Sequence, residues 1–316
     1  SFPLACVFSP IRILVGMLVV SAAFARTGTC ANAEINARLS VFAPYPGKAE
    51  NFAATFSGSG ARIVSAAPMS KARPLVLVVD PNSYGRSEVR RQIGSFAKAL
   101  VARAGGLAEP WTIRVGLPIL DGILSPPVAD SNNLAAALDK AIVNFVPEDL
   151  EGRRATFGRT VDLIGTLIER AEKEAGAVDC LLLFRDRGLE GEDSAYLNSG
   201  MQRYLANLAL REGSVVHGYL EGSGILRDAC MATGGLVWNS STAPGQVIQQ
   251  LGELRSRGYL LEACVPVPSR AECLRVEVRA HLEGGKPVIL REVSLLCWHP
   301  DGTSPPNHYR MRQGLD

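Results

Sequence analysis

The chain has 316 residues, of which 47% are hydrophobic and 20% charged, so it can bury the core of one large or two modest domains and is not intrinsically disordered. Its formal net charge is only +2 at pH 7, and no long run of like charge occurs. This balance gives no support for binding to nucleic acid or to an anionic membrane.

Residues 1–25 are predicted to be a secretory signal peptide. Arg12 precedes an apolar run of about a dozen residues, and Ala23-Phe24-Ala25 supplies a small-x-small cleavage site. The run is shorter than the roughly 20 apolar residues that a membrane-spanning helix needs. We therefore expect a secreted or periplasmic protein that has no membrane span after signal cleavage.

The cysteines are consistent with an exported protein. The chain has seven, and no C-x-x-C pair suggests a zinc site. An oxidising compartment permits disulfides, and a bridge between Cys264 and Cys273 could close a hairpin. For Cys180, next to an apolar strand, a buried free thiol is the alternative.

Residues 26–72 are predicted to form an N-terminal β segment, with strands over 38–42, 51–56 and 61–66. From 73 to 257 strands and helices alternate, which predicts an α/β domain with a doubly wound, mostly parallel sheet. Its strands are expected over 75–79, 111–117, 178–184, 214–220 and 236–238. Its helices are expected over 87–104, 131–144, 160–175, 196–210, 226–233 and 246–255.

The first strand of this domain, LVLVV at 75–79, is apolar on both faces and ends at Asp80. Ligands of open α/β sheets bind outside the carboxyl ends of the strands, so Asp80 is a candidate binding residue. The alternative is that Asp80 only caps the helix that follows.

Residues 258–298 are predicted to be a C-terminal β segment, with strands over 259–265, 274–282 and 288–295, and residues 299–316 an irregular tail. We expect the small β segments of both termini to pack together beside the α/β domain. The domain would then be an insertion in sequence.

Catalytic motifs are not evident. The sequence has neither a G-x-S-x-G elbow nor a P-loop, and its four histidines form no local cluster. An enzyme on a doubly wound sheet stays open as an alternative. A hydrolase of this kind would need His217 or His281 within hydrogen-bond reach of Asp80 or Asp186.

Several motifs occur in an order that resembles the von Willebrand factor type A (VWFA) domain, above all in bacterial exported proteins with a VWFA-related domain. Asp80 and Asn82 follow a strand, Thr160 follows a glycine-containing loop, and Asp186 follows the strand LLLF. The other matches are the segment from Phe52 to Ile63, the Ala232-Thr233-Gly234-Gly235 run and the strand led by Tyr259.

The resemblance implies a metal-ion-dependent adhesion site in which Asp-x-Ser-x-Ser, a threonine and a second aspartate hold a hard divalent cation. Asp80, Thr160 and Asp186 would be its ligands, for Mg²⁺ or Ca²⁺. Asn82 and Tyr84 stand where the family has serines, so the site is expected to be degenerate and no cofactor is expected.

Arginines are predicted on loops at the same edge of the sheet, namely Arg86, Arg153, Arg154, Arg159, Arg185 and Arg187. We expect one of them to pair with Asp80 or Asp186 in place of a metal, so that the face binds an acidic group of a protein partner. The alternative is that they are scattered solvated charges. The resemblance thus implies a non-catalytic extracytoplasmic binding or adhesion module, with a hydrolase or a scaffold subunit of an envelope assembly as alternatives.

Overall fold

The structure, a computed structural model, describes residues 34–43, 47–69, 73–84, 87–104, 111–142, 145–146, 150–185, 213–221, 224–266, 272–281 and 288–298. The predicted signal peptide, the predicted helix over 196–210 and the predicted tail lie outside these residues. Among the described helices, none is both long and apolar enough to cross a bilayer.

One half of the fold is a six-stranded antiparallel sheet built from both ends of the chain. Its strands are β1 (Glu34–Phe42), β2 (Phe52–Phe56), β3 (Ser59–Pro68), β10 (Gly258–Pro266), β11 (Glu272–Ala280) and β12 (Val288–Trp298), in the order β1-β10-β3-β2-β11-β12. Alternate residues of β2 are buried, so that Phe52, Ala54 and Phe56 point into a core shared with Leu39 and Leu261.

The other half is a mixed sheet with helices on both faces. Its strands are β4 (Leu75–Val79), β5 (Ile113–Leu117), β6 (Ile123–Leu124), β7 (Asp179–Arg185), β8 (Val215–Glu221) and β9 (Val237–Trp238), in the order β6-β5-β4-β7-β8-β9. Only β6, paired to β5, runs antiparallel to its neighbour in this sheet.

Six helices accompany the mixed sheet in the described part of the chain: α1 (Pro81–Tyr84), α2 (Ser87–Ala104), α3 (Ser131–Ile142), α4 (Leu150–Ala175), α5 (Gly224–Ala232) and α6 (Pro244–Arg257). Strand β4 is buried on both faces, as its unbroken apolar run predicts. Leu77 packs in the core cluster that contains Phe96 of α2, whereas Val78 packs in the cluster that contains Ile164 of α4.

The predicted fold class is wrong. The terminal strands are not small segments beside a doubly wound parallel sheet, because they form a strongly curled antiparallel sheet with as many strands as the mixed sheet. The physical reason is long-range pairing: Glu34 lies opposite Pro266, and such a pairing leaves no local trace in the sequence. The expected contact between the two ends of the chain is confirmed by this pairing, while the segment boundaries stay predictions.

Helix α4 begins at Leu150 and not near Thr160. Gly158 suggests a loop in the sequence, but a single glycine inside a helix costs only about 1 kcal/mol, and the apolar stripe of α4 is buried against the sheet. The prediction that Arg153, Arg154 and Arg159 lie on loops is therefore wrong.

The cysteines fall into two groups. Cys180 on β7 and Cys230 on α5 are buried free thiols, which confirms the alternative expected for Cys180. Cys264 on β10 is disulfide-bonded, and its partner lies outside the described side chains. The bridge to Cys273 stays a prediction; the β11–β12 register places Cys273 opposite Cys297.

Candidate functional site

The candidate site is the edge of the mixed sheet at the carboxyl ends of its parallel strands. We call this edge the loop face; its described residues are 80–84, 118–122, 145–146 and 239–242. Open α/β sheets bind ligands at this edge because loops, and not helix cores, meet there. The sequence-predicted site residues can be placed against it one by one.

Asp80 is bound by the start of the following helix. Its Oδ1 accepts a hydrogen bond from the Asn82 backbone N–H (3.2 Å), and its Oδ2 accepts from the N–H (3.2 Å) and hydroxyl (2.6 Å) of Ser83. The residue is only 3% exposed. These bonds are those of a helix cap, the alternative role that the sequence left open.

Tyr84 is part of the core and not of an open binding loop. Its ring is buried beside α2 and α3, and its hydroxyl donates to Oδ1 of Asp139 on α3 (3.1 Å). Burial and the carboxylate of Asp139 raise the pKa of Tyr84 to about 12. The guanidinium of Arg90 lies 5.3 Å from the ring centroid. Tyr84 therefore links the start of α2 to the end of α3 by packing and by a hydrogen bond.

Two of the three metal ligands that the resemblance implies lie in the described part of the chain. The oxygens of Asp80 accept capping bonds, and Thr160 lies nearly three turns inside α4 rather than at a helix start. Asp186 lies outside the described residues. Within the described residues, no three His, Cys, Asp or Glu side chains are grouped to hold a metal ion. The ligand set Asp80, Thr160 and Asp186 stays a prediction.

Of the six arginines predicted at this edge, Arg159 is the one whose side chain the structure describes. It is exposed on α4, and its Nη2 donates to the backbone oxygen of Leu120 (3.4 Å). Arg185 is the last residue of β7, with its side chain outside the description, and Arg86 and Arg187 lie outside it entirely. The expected pairing of an arginine with Asp80 or Asp186 stays a prediction.

The turn between β5 and β6 displays a leucine that the sequence did not single out. Leu120 is 71% exposed and has a φ of 54°, in the left-handed region that non-glycine residues rarely occupy. The turn is well fixed, since the Gly122 N–H donates to the Ile119 oxygen (2.8 Å) and Arg170 donates to the Gly122 oxygen (2.6 Å). The Asp121-Gly122 pair is the turn signal that could have located it.

A second exposed apolar residue belongs to the same face. Val146 is 81% exposed and lies between the end of α3 and the start of α4. Because Asp139 near the end of α3 contacts Tyr84, this connection lies at the loop face. Among the described residues, Val146 and Leu120 are the two most exposed large hydrophobic side chains.

The loop after β9 is also held in place by hydrogen bonds. The Tyr219 hydroxyl donates to the backbone oxygens of Ser240 (3.2 Å) and Thr242 (2.9 Å), and Asn239 Oδ1 accepts from the Ser241 N–H (3.1 Å). Beside Tyr219 a cavity of about 10 Å³ lies under α2, next to Phe96 and Leu183. That volume is near the size of one water molecule, so this cavity is no substrate pocket.

The two histidines of the hydrolase alternative lie elsewhere. His217 Nδ1 accepts a hydrogen bond from the Leu236 N–H (3.0 Å), and burial lowers the pKa of His217 to about 4. The His281 backbone N–H donates to Asn51 in the antiparallel half (2.7 Å).

The Thr233-Gly234-Gly235 motif has a structural role near β8. The Thr233 hydroxyl accepts from the Val216 N–H (2.9 Å) and donates to the Cys230 oxygen (2.9 Å). A Cβ on Gly235 would lie 1.8 Å from the Val216 oxygen, so only glycine fits. The motif thus closes the end of α5 onto the sheet.

Comparisons with solved structures give likenesses that are weak. No protein-family model matches the chain, and no curated protein matches it. The chain is similar to the TFIIH p34 N-terminal domain, with 10% identity and a TM-score of 0.37 over 57% of this chain and 96% of that chain. It is also similar to proximal thread matrix protein 1 from the mussel byssus, with 15% identity and a TM-score of 0.37 over 60% of this chain and 49% of that chain. Likenesses this low carry no conclusion on function.

Proposed function

We propose that the protein is a non-catalytic extracytoplasmic module that binds a protein partner, or acts in adhesion, through the loop face. The proposal includes export by the segment 1–25 to a secreted or periplasmic location. It also includes a relationship to exported proteins with a VWFA-related domain, in which the metal-dependent adhesion site has degenerated.

The observation that carries the proposal is the display of Leu120. A non-glycine residue with positive φ costs on the order of 1 kcal/mol, and an exposed leucine gains nothing from burial. The turn is nevertheless held by two arginines of α4, since Arg159 donates to the Leu120 oxygen and Arg170 to the Gly122 oxygen. Strain that is fixed by its surroundings is typical of functional segments, and a rigid apolar side chain loses little entropy when a partner covers it.

The chemistry of the partner follows from the neighbours of Leu120. Val146 adds a second exposed apolar side chain to the same face. Arg159, whose guanidinium lies beside the Leu120 oxygen, offers a cation to an acidic group. We therefore propose a partner that presents an apolar pocket flanked by a carboxylate.

Binding is favoured over catalysis because the described polar groups of this face are committed to the scaffold. Asp80 and Ser83 bond to one another, and Tyr219 holds the loop after β9. Catalysis by a nucleophile and base would need such groups to be directed at a substrate instead.

Site-specific photo-cross-linking tests the proposal. A benzoylphenylalanine is placed at 120, at 146, or at 101 as the control, in the full chain and in the cells that produce it. Val101 is also an exposed apolar residue (44%), but it lies near the far end of α2. We expect one discrete adduct from positions 120 and 146 that position 101 does not give and that Arg159→Glu weakens. Equal adducts from all three positions, or none from 120, would contradict the proposal.

A further inference from the structure

A group of buried charges lies at the opposite edge of the mixed sheet, where the chain passes between the two halves of the fold. We call it the ion cluster; it consists of Arg73, Glu172, Asp179 and Arg255 together with Ser214. Arg73 lies two residues before β4, where the chain enters the mixed half. Arg255 lies three residues before β10, where the chain returns to the antiparallel half.

Asp179 joins these two crossing points. Its Oδ2 accepts from Arg255 Nε (2.7 Å), and its Oδ1 lies 3.3 Å from Arg73 Nη2. Burial alone would raise the pKa of Asp179, but the two arginines outweigh it and hold the pKa below its usual value. The guanidinium of Arg255 also lies 4.4 Å from the centre of the Trp111 ring.

The cluster extends to a backbone turn that contacts the antiparallel sheet. Arg73 Nη2 donates to the oxygens of Val178 (2.9 Å) and Gly213 (2.8 Å). The same Gly213 oxygen accepts from the hydroxyl of Ser40 on β1 (2.8 Å). One carbonyl oxygen is therefore shared by a donor from the antiparallel sheet and a donor from the ion cluster.

The Gly213 turn lies in close contact with the antiparallel sheet. Gly213 has a φ of 76°, and a Cβ there would lie 2.4 Å from Leu260 on β10. Leu260 is the register partner of Ser40, so the turn rests on one paired position of the antiparallel sheet. Beside it, the Met69 N–H donates to the Gly258 oxygen (2.8 Å), which binds the outgoing and returning chain to each other.

We infer that the ion cluster and the Gly213 turn act as a latch that couples the two halves, so that neither sheet opens without the other. Two chain crossings alone would allow the halves to open separately, since each has its own apolar core. The shared Gly213 oxygen opposes this, because separating the halves would break the Ser40 bond to the turn that Arg73 also binds.

Hydrogen exchange of the full chain, measured at increasing denaturant, tests the latch. In the unaltered protein we expect the slowest amides of β1 and β10 to have the same protection as those of β4 and β7, and the same dependence on denaturant. A clearly lower protection for either sheet would overturn the inference.

Two variants separate coupling from local stabilisation. Asp179→Asn leaves two buried arginines without a carboxylate, and we expect exchange to accelerate by roughly a hundredfold or more in both sheets. Acceleration confined to the mixed sheet would overturn the inference.

If this variant does not fold, Ser40→Ala decides, because it removes only the hydroxyl donated to Gly213. We expect it to accelerate exchange several-fold on both sides, and an effect limited to β1 and β10 would count against the latch. Ser65→Ala, which removes a hydroxyl bonded within the antiparallel sheet, is the matched control.

Discussion

The two edges of the mixed sheet each have a buried aspartate at a strand end, and the two are stabilised differently. Asp80 follows β4 and is bound by backbone N–H groups and a hydroxyl, whereas Asp179 begins β7 and is bound by two arginines. The hydrogen bonds described for Asp80 come from the two residues that follow Pro81, and the neighbouring turn after β5 displays Leu120. The arrangement at Asp179 requires buried partners from distant segments and closes that edge against the other half of the fold.

The largest expected effect comes from breaking the closed edge. Arg255→Met leaves Asp179 with one arginine, and removal of a partner from a buried ion pair costs about 3–5 kcal/mol. Denaturant unfolding of the purified protein measures the loss. Arg257→Met, two residues on and exposed, should change the free energy of unfolding by less than about 0.5 kcal/mol. An equal loss in the free energy of unfolding for the two variants would contradict a stabilising role of the ion cluster.

The next effect concerns the protonation of His217, whose pKa the charge of Asp179 also influences. Burial lowers the pKa of His217 from 6.5 to about 4. At a pH between these two values, the unfolded chain therefore binds a proton that the folded chain does not bind. Stability is thus full above pH 6.5 and falls as the pH drops to about 4, by on the order of 3 kcal/mol.

Unfolding curves recorded from pH 7.5 to 4 with His217→Gln measure this contribution. The variant lacks the titrating group, so its stability should fall less steeply over this interval than that of the unaltered protein. The pKa of Asp179 is held below its usual value, so its own contribution is lost only at lower pH. If the stability of both proteins fell equally steeply with pH, the pH dependence could not be attributed to His217.

A smaller effect is expected at the capped edge. Asp80→Ala removes the acceptor of the Ser83 N–H and hydroxyl, and loss of such a cap costs about 1–2 kcal/mol. Asp80→Asn keeps an amide oxygen as acceptor and should lose less than half as much. If Asp80 carried a metal instead, Mg²⁺ or Ca²⁺ would raise the melting temperature of the unaltered protein and not of the alanine variant, which isothermal titration would confirm.

The smallest change in stability is expected at Leu120, with the opposite sign. Leu120→Gly relieves the positive φ and should be neutral or stabilise by up to about 1 kcal/mol, while it removes the apolar contact with the proposed partner. Ser57→Gly is the matched control, because Ser57 also has a positive φ (49°) but lies in the β2–β3 turn. The cross-link from position 146 should weaken only with Leu120→Gly.

Local patterns predicted the elements well where one residue type dominated. The run LVLVV gave β4, and the stripe from Val89 to Leu100 gave α2 with its observed ends. The start of α4 was misplaced because Gly158 looked like a break. The size of the antiparallel sheet was missed because its strands pair across most of the chain, and alternation shows which face is buried but not which strand is the neighbour.

The site was harder to predict than the fold. Asp80 and Tyr84 were predicted as positions of a degenerate metal site. Their observed contacts were not predicted, because Asp80 is bound by Ser83, one residue away from the expected serine position, and Tyr84 by Asp139 on a helix about 50 positions away. The ion cluster was missed because its members are separated by up to 182 positions, as between Arg73 and Arg255. Its one local signal is Asp179, a carboxylate that begins an apolar strand with no helix to cap.

Two buried free thiols in the described part of the chain can report opening of the mixed half. Cys180 on β7 and Cys230 on α5 have no exposed surface, and burial raises the pKa of both, so neither reacts with an alkylating reagent in the closed protein. Their rate of modification therefore counts openings of the mixed half directly. When this rate is measured together with the exchange of β1 and β10 amides, it shows how often the mixed half opens, and no introduced label is needed.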